Sequence, residues 1–180
     1  MGRRLSVVAA VLIAGIALPG CGYTLAGRGS FLPDTIRTIG IPTFGNETPL
    51  YQAEQVLTER VRSEFIGRGR YKVLPQETGV DAVLRGTITS IRLEPAAFSG
   101  TQQASKYTIT LSAKIEFRDL KADKVLWQNP SLVFREDYDV ASGATGTIDI
   151  TTFFGQEANA LQRVGTDFAR SVVSAILEAF

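Results

Sequence analysis

Hydrophobic and polar residues alternate most regularly between positions 107 and 118 of this 180-residue chain. Every second residue there is apolar, and this two-residue period is typical of a β-strand with one buried and one solvated face. The apolar positions are Tyr107, Ile109, Leu111, Ala113, Ile115 and Phe117. The pattern therefore predicts a long strand that lies on a hydrophobic core and keeps its other face polar.

A strand is also predicted on each side of this one. In the preceding strand, apolar residues keep one phase up to Ile88 and take the other phase from Ile91 onward. This change predicts either a β-bulge between them or a strand that is apolar on both faces near its end. In the following strand, which begins at residues 125–127, Pro130 cannot donate a backbone hydrogen bond. We therefore expect this last strand to lie at a sheet edge or to bulge at Pro130.

Two segments have the three- and four-residue apolar spacing of an amphipathic helix. Thr48 followed by Pro49 predicts the start of the first helix, as an N-cap and a proline at the first helical position. Gly67 and Gly69 predict its end. The apolar stripes are Leu50, Ala53, Leu57, Val61 and Phe65 in the first helix, and Leu161, Val164, Phe168, Val172 and Ile176 in the second.

A short β-branched strand over residues 36–41 precedes the first helix, and a brief extended piece over residues 71–74 follows it. Loops are predicted over Pro95–Ser105 and over Val140–Thr152, where the chain is rich in Gly, Ser and Thr. This order of elements predicts an α+β two-layer sandwich, in which two helices pack on one face of a mainly antiparallel, mixed sheet of four strands. The other face of the sheet is expected to be largely polar.

The N-terminus has the parts of an exported leader: Arg3 and Arg4, an apolar run over residues 5–18, and small residues up to Cys21. As a helix this run is about 21 Å long, short of the roughly 30 Å hydrocarbon core of a bilayer. Leu18-Pro19-Gly20-Cys21 resembles the lipobox of bacterial lipoproteins, where the thiol is acylated and becomes the mature N-terminus. We therefore predict a signal peptide at 1–20, a tether at 21–34 and a single α+β domain at 35–180.

Composition removes many catalytic functions for this chain. Without histidine, Ser-His-Asp and Cys-His catalysis and His-containing zinc sites are excluded, and Cys21 is the only thiol. Removing Arg3 and Arg4 with the leader leaves 17 basic and 18 acidic residues, a balance that argues against nucleic-acid binding. The acidic cluster at 136–139 lacks the ligands and turn glycine of a calcium loop. The sequence thus indicates a protein that is not an enzyme and needs no cofactor.

Five segments carry a resemblance to the lipopolysaccharide-assembly lipoprotein family, LptE. They are Cys-Gly-Tyr-x-Leu-x-Gly at 21–27, Leu-Pro at 32–33, Ile-x-Ile-Pro-x-Phe-x-Asn-x-Thr at 39–48, Asp-Ala-Val-Leu-x-Gly-x-Ile at 81–88 and Lys-Val-Leu-Trp at 124–127. The resemblance implies an outer-membrane lipoprotein without enzymatic activity. It would plug the barrel of the partner protein LptD, which inserts lipopolysaccharide into the outer leaflet, and it would bind lipopolysaccharide directly.

In enterobacterial lipoproteins an Asp after the acylated cysteine signals retention at the inner membrane, so Gly22 implies an outer-membrane, periplasm-facing protein anchored through Cys21. The segments at 39–48 and 81–88 also resemble lipoproteins that activate peptidoglycan synthases and those of curli secretion, and these remain the alternative. Cys-Gly-Tyr at the lipid site and the long alternating strand favour the LptE family.

Lys and Arg side chains would bind a phosphorylated glycolipid. The resemblance implies that such basic residues lie at the tips of loops near the end of the sheet. Neither predicted loop contains a basic residue. The nearest cations are Arg92, Lys106 and Arg135, and we predict lipopolysaccharide contact for Arg92 and Lys106. The alternative is that each is an ordinary solvated strand charge.

Overall fold

The computed structural model describes residues 32–98, 104–144, 149–156 and 159–180. The predicted signal peptide, Cys21 and the tether as far as residue 31 lie outside these ranges. The described elements are β1 (Thr38–Gly40), β2 (Gly45–Asn46), α1 (Ala53–Gly67), β3 (Lys72–Leu74), β4 (Ala82–Phe98), β5 (Ala104–Asp119), β6 (Lys124–Ala144), α2 (Ile150–Gln156) and α3 (Ala160–Leu177).

The strands form one mixed sheet in the order β3-β1-β4-β5-β6, and β2 also pairs with β4. β1 is parallel to both β3 and β4, whereas β5 is antiparallel to β4 and β6. The predicted α+β class with a mixed sheet is confirmed, but the predicted number of strands is wrong, since the described sheet has six strands rather than four. β3 lies within the extended piece predicted over residues 71–74, which is not among the four predicted strands. β2 is not predicted, because two residues carry too little periodicity to be recognised as a strand.

The described residues also contain three helices instead of the predicted two, because α2 begins in the last residues of the loop predicted over Val140–Thr152 and continues to Gln156. Asp149 stabilises its first turn by accepting hydrogen bonds from the backbone N–H groups of Thr151 and Thr152 at 3.0 and 3.1 Å. The helix buries Phe153 and Phe154 against the sheet. Burial of this aromatic pair outweighs the loop-like composition around it.

The strands also run further into the predicted loops than expected. β4 continues to Phe98, β5 begins at Ala104 and β6 continues to Ala144. Pro95 pairs with Tyr107 across β4 and β5, and a register shift follows it, so the strand accommodates the proline at an irregularity. Tertiary pairing with β5 therefore extends a segment whose local composition favours a loop.

Two predicted irregularities are confirmed. The β4–β5 register shifts between Ile88 and Ser90, where the apolar phase changes. β6 is an edge strand, and its pairing shifts so that Ala113 lies opposite Leu132 whereas Ile115 lies opposite Asn129. Two residues of β6 therefore face Lys114, and Pro130 is one of them.

Helices α1 and α3 pack on one face of the sheet and run parallel to each other. Arg60 near the middle of α1 donates to Gln162 Oε1 at 2.6 Å, and Arg68 just after α1 donates to Ser174 Oγ at 3.0 Å. Gly165 faces α1, where a Cβ atom would lie 3.2 Å from the Arg60 side chain. The buried stripes include Leu57 and Phe168, each 0% exposed.

The turn before α1 corrects the predicted helix start. Asn46 Oδ1 accepts hydrogen bonds from Thr48 N and Thr48 Oγ1 at 2.9 and 2.7 Å, and Asn46 Nδ2 donates to Leu50 O at 2.9 Å. These bonds hold a turn instead of a helical first residue. The helix begins only at Ala53, after Gln52 with φ 70°, while its end at Gly67 agrees with the prediction.

The segment 81–88 joins three parts of the fold. Asp81 Oδ2 accepts from Arg37 N at 2.9 Å and from Thr38 N at 2.8 Å, and Asp81 Oδ1 pairs with Lys121 Nζ at 2.6 Å. This carboxylate connects the start of β1, the start of β4 and the turn after β5. Gly86 lies under the Phe44 ring, where a Cβ atom would come within 2.9 Å of three ring carbons.

The topology gives the domain two distinct ends. β1, β3, β4 and β6 all begin at the end where β5 and the two long helices finish, and we call this the tether end. The described chain enters there, since Leu32 N donates to the Tyr71 hydroxyl at 3.2 Å. The opposite end, which we call the hairpin end, carries the last residues of β4 and β6, the first of β5 and helix α2.

Candidate functional site

The candidate site is the face of β4, β5 and β6 that points away from the helices, which we call the outer face. It is polar along most of its length because the two-residue period places the charged and hydroxyl residues of all three strands on this side. Its described residues are Arg85, Thr87, Ser90, Arg92 and Glu94 on β4, Lys106, Thr108, Thr110, Ser112, Lys114, Glu116 and Arg118 on β5, and Val133, Arg135, Asp137 and Asp139 on β6.

Cations at the tether end of this face are already paired. Arg85 forms a two-point interaction with Glu77, at 3.1 and 2.6 Å, and the bond from Arg85 holds the pKa of Glu77 below its usual range. Arg118 bonds to Glu116 at 3.1 Å and to Asp123 at 3.0 Å, and these acceptors raise the pKa of Arg118. Little positive charge is left here for a ligand.

Lys106, a predicted contact residue, lies near the hairpin end and faces Asp139. The two side chains form an ion pair at 3.5 Å, and Lys106 is 38% exposed. In the adjacent row, Thr108 Oγ1 donates to Asp137 Oδ1 at 2.8 Å. The charge of Lys106 is thus partly compensated within the protein.

Arg92, the other predicted residue, lies opposite Thr110, and Arg135 lies opposite the same threonine on the other side. The two arginines therefore flank the central strand with Cα atoms about 10 Å apart, twice the strand spacing. Both are exposed. Within the described ranges, neither side chain forms an ion pair or a hydrogen bond with another residue.

The structure thus brings Arg92 together with Arg135 and not with Lys106. Along β5, Lys106 is four residues from Thr110, which corresponds to roughly 13 Å. The pairing register between strands decides which cations are neighbours. The residue pattern within a single strand gives no information about that register. The available signal was only that Arg135 occupies the polar phase of its strand.

Two other kinds of site find no support in the described part of the chain. No group of three or more Asp, Glu, Cys or His side chains there is placed to hold a metal ion. None of the described helices has the length and apolar character needed to cross a membrane.

The fold and the site together define an α+β two-layer domain that presents one polar, arginine-bearing sheet face. The sequence model of the lipopolysaccharide-assembly family, LptE, matches residues 36–176, which is most of the chain. The protein belongs to this family.

Solved structures share the fold at low sequence identity. The PelC dodecamer from Paraburkholderia phytofirmans is 16% identical with a TM-score of 0.51, and the match covers 84% of this chain and 94% of that one. A hypothetical protein from Chlamydia trachomatis is 9% identical with a TM-score of 0.52, covering 79% and 96%. A protein from Xanthomonas campestris is 13% identical with a TM-score of 0.52, covering 83% and 90%. No curated protein sequence matches the chain.

Proposed function

We propose that this protein is an outer-membrane lipoprotein that occupies the lumen of the LptD β-barrel, supports its assembly and assists the insertion of lipopolysaccharide into the outer leaflet. In this role it turns over no substrate and needs no cofactor. Membership of the lipopolysaccharide-assembly family supports the biological process. The polar surface of the domain is the observation that carries the more specific role of a plug.

Both layers of the domain present polar side chains to their surroundings. The outer face carries the charged and hydroxyl residues described above. On the helix layer the exposed residues include Gln55, Glu59 and Ser63 of α1 and Gln162, Arg170 and Ser171 of α3. The lumen of an outer-membrane barrel is polar as well, so a domain that is polar on both layers suits that environment.

A lipid anchor at Cys21 fits this arrangement. The eleven residue-to-residue steps from Cys21 to Leu32 can span at most about 36–40 Å when fully extended. An acylated Cys21 in the inner leaflet would therefore hold the tether end within this distance of the membrane surface. The hairpin end would then be the end further along the barrel axis.

Direct contact with lipopolysaccharide is assigned to Arg92 and Arg135. Two guanidinium groups without side-chain partners among the described residues can each donate two hydrogen bonds to a phosphate, which is the geometry that arginine favours. Lys106 is a weaker candidate, because a ligand would have to compete with Asp139 for its ammonium group. We thus retain lipopolysaccharide contact for both predicted residues, with Arg92 as the stronger candidate and Lys106 as the weaker one.

Affinity purification from detergent-solubilised membranes tests the proposed role. A tagged copy is expected to recover a large β-barrel protein in a one-to-one complex, and depletion of the lipoprotein is expected to lower the amount of that barrel. The Cys21→Ala variant is the matched control for membrane attachment, and it should reduce recovery. A homo-oligomer without a barrel, such as the dodecamer formed by PelC, would contradict the proposal.

A further inference from the structure

A concavity of about 300 Å³ opens on the outer face beside Lys114. Its cause is the bulge in β6, where Pro130 and Ser131 together oppose one residue of β5. Pro130 has no N–H to donate to the ladder, and Asn129 Oδ1 accepts from Ser131 N at 3.0 Å, which stabilises the local turn. Pro130 and Lys114 both line the concavity, and Lys114 is exposed there.

Several polar groups at this concavity have no partner among the described residues. Lys114 is exposed and forms neither an ion pair nor a hydrogen bond there. The Thr87 hydroxyl and the Gln128 amide also line the concavity and form no side-chain hydrogen bond with described residues. A cation, a hydroxyl donor and an amide donor next to one another are the groups that coordinate an oxyanion.

The acidic group in the lining does not cancel this charge. Glu116 accepts from Arg118 at 3.1 Å and lies 4.0 Å from Arg85. Its carboxylate is thus directed to Arg118, and Glu116 forms no ion pair with Lys114. The ammonium group of Lys114 remains available for a ligand.

We propose that this Lys114 concavity is a second anion-binding position on the outer face, which takes a phosphate group of the same glycolipid whose other phosphate contacts Arg92 and Arg135. The inference rests on the proposed function. Lys114 and Thr110 are four residues apart on β5, so the two positions are separated by roughly 13 Å. The ligand class is thus a headgroup with two separated anionic groups.

Isothermal titration of the full mature lipoprotein in nonionic detergent tests this assignment. The probes are a bisphosphorylated acylated glucosamine disaccharide, its monophosphorylated form and inorganic phosphate. The parent protein is expected to bind the bisphosphorylated probe at least about fivefold more tightly than the monophosphorylated one. Lys114→Gln should abolish this difference and leave the affinity for the monophosphorylated probe unchanged. Arg135→Gln should weaken binding of both.

Lys124→Gln is the matched control, since Lys124 is exposed at the start of β6 and has no ion pair with a described residue. It should keep the preference for two phosphates. The second position alone would be overturned if Lys114→Gln kept the parent's preference for the bisphosphorylated probe, or lost no more of that preference than Lys124→Gln. Inorganic phosphate binding as tightly as the glycolipids would make it a free-anion site and overturn the headgroup assignment. A parent protein that binds neither glycolipid would remove the proposed lipopolysaccharide contact as well.

Discussion

Asp81 shows how one carboxylate can stabilise three elements at the tether end. Its side chain is 15% exposed, and it accepts hydrogen bonds from the backbone N–H groups of Arg37 and Thr38 and from the Thr38 hydroxyl at 2.8 Å. The bond from Lys121, followed by these three bonds, lowers the pKa of Asp81 well below its usual range. The folded state therefore favours the ionised carboxylate of Asp81 over the protonated one.

The first prediction follows from the sign of this pKa shift. Since the folded-state pKa is the lower one, the stabilisation is complete above the unfolded-state pKa of about 4 and is lost as the pH falls toward the folded-state value. Asp81→Asn should lower the free energy of unfolding by about 1–3 kcal/mol at pH 7. Urea denaturation should show that the difference from the parent shrinks at pH 3.

Asp123→Asn is the control for this measurement, since Asp123 also pairs with a cation but is 89% exposed. It should change stability by less than about 1 kcal/mol. A difference between Asp81→Asn and the parent that stays constant from pH 7 to pH 3 would contradict the role of the ionised carboxylate.

At the scale of elements, the two long helices stabilise the domain by covering β4 and β5. The Phe168 ring also packs edge-on against Phe134 of β6, with ring centroids 6.1 Å apart. Beyond this contact, β6 is less well covered, since Trp127 and Leu132 are only partly buried. Pro130 and the inward-phase Glu136 on this edge oppose the addition of another strand.

The second prediction concerns these helices. Leu57→Ala and Phe168→Ala should each lower the free energy of unfolding by about 2–5 kcal/mol, because both side chains are 0% exposed between helix and sheet. Thermal denaturation provides the measurement. Ser171→Ala, at an exposed position of α3, is the control and should leave the melting temperature nearly unchanged. Melting of both truncated variants within a degree of the parent would be incompatible with the two-layer packing.

The elements also show what a sequence can predict and what it cannot. The alternation from Tyr107 to Phe117, the phase change after Ile88 and the break at Pro130 are local signals, and the corresponding strand, bulge and edge are present. β2 and α2 depend on partners distant in sequence: β2 on pairing with Thr87 and Ile88, and α2 on burial of its aromatic pair. The site follows the same rule, because only the strand register places Arg135 beside Arg92.

Considered as a whole molecule, the domain has polar surfaces on both layers and an N-terminal connection at one end. A protein that docks on a partner through one face buries that face and leaves the other in solvent. A protein that fills a lumen is surrounded, so both of its layers meet the same partner over a large area, beyond roughly 2,000 Å² in total for a permanent complex. The two arrangements therefore differ in which residues are near the partner.

In-cell photo-crosslinking from both layers tests whether the domain fills a barrel. A photoreactive residue is placed at Ser112 on the outer face or at Ser63 on the exposed side of α1, and the captured protein is identified by mass spectrometry. Both positions are expected to crosslink to the same large outer-membrane β-barrel protein, and the outer-face position is expected to capture lipopolysaccharide as well. Crosslinks to the barrel from one layer only, or to further copies of this chain, would contradict the plug.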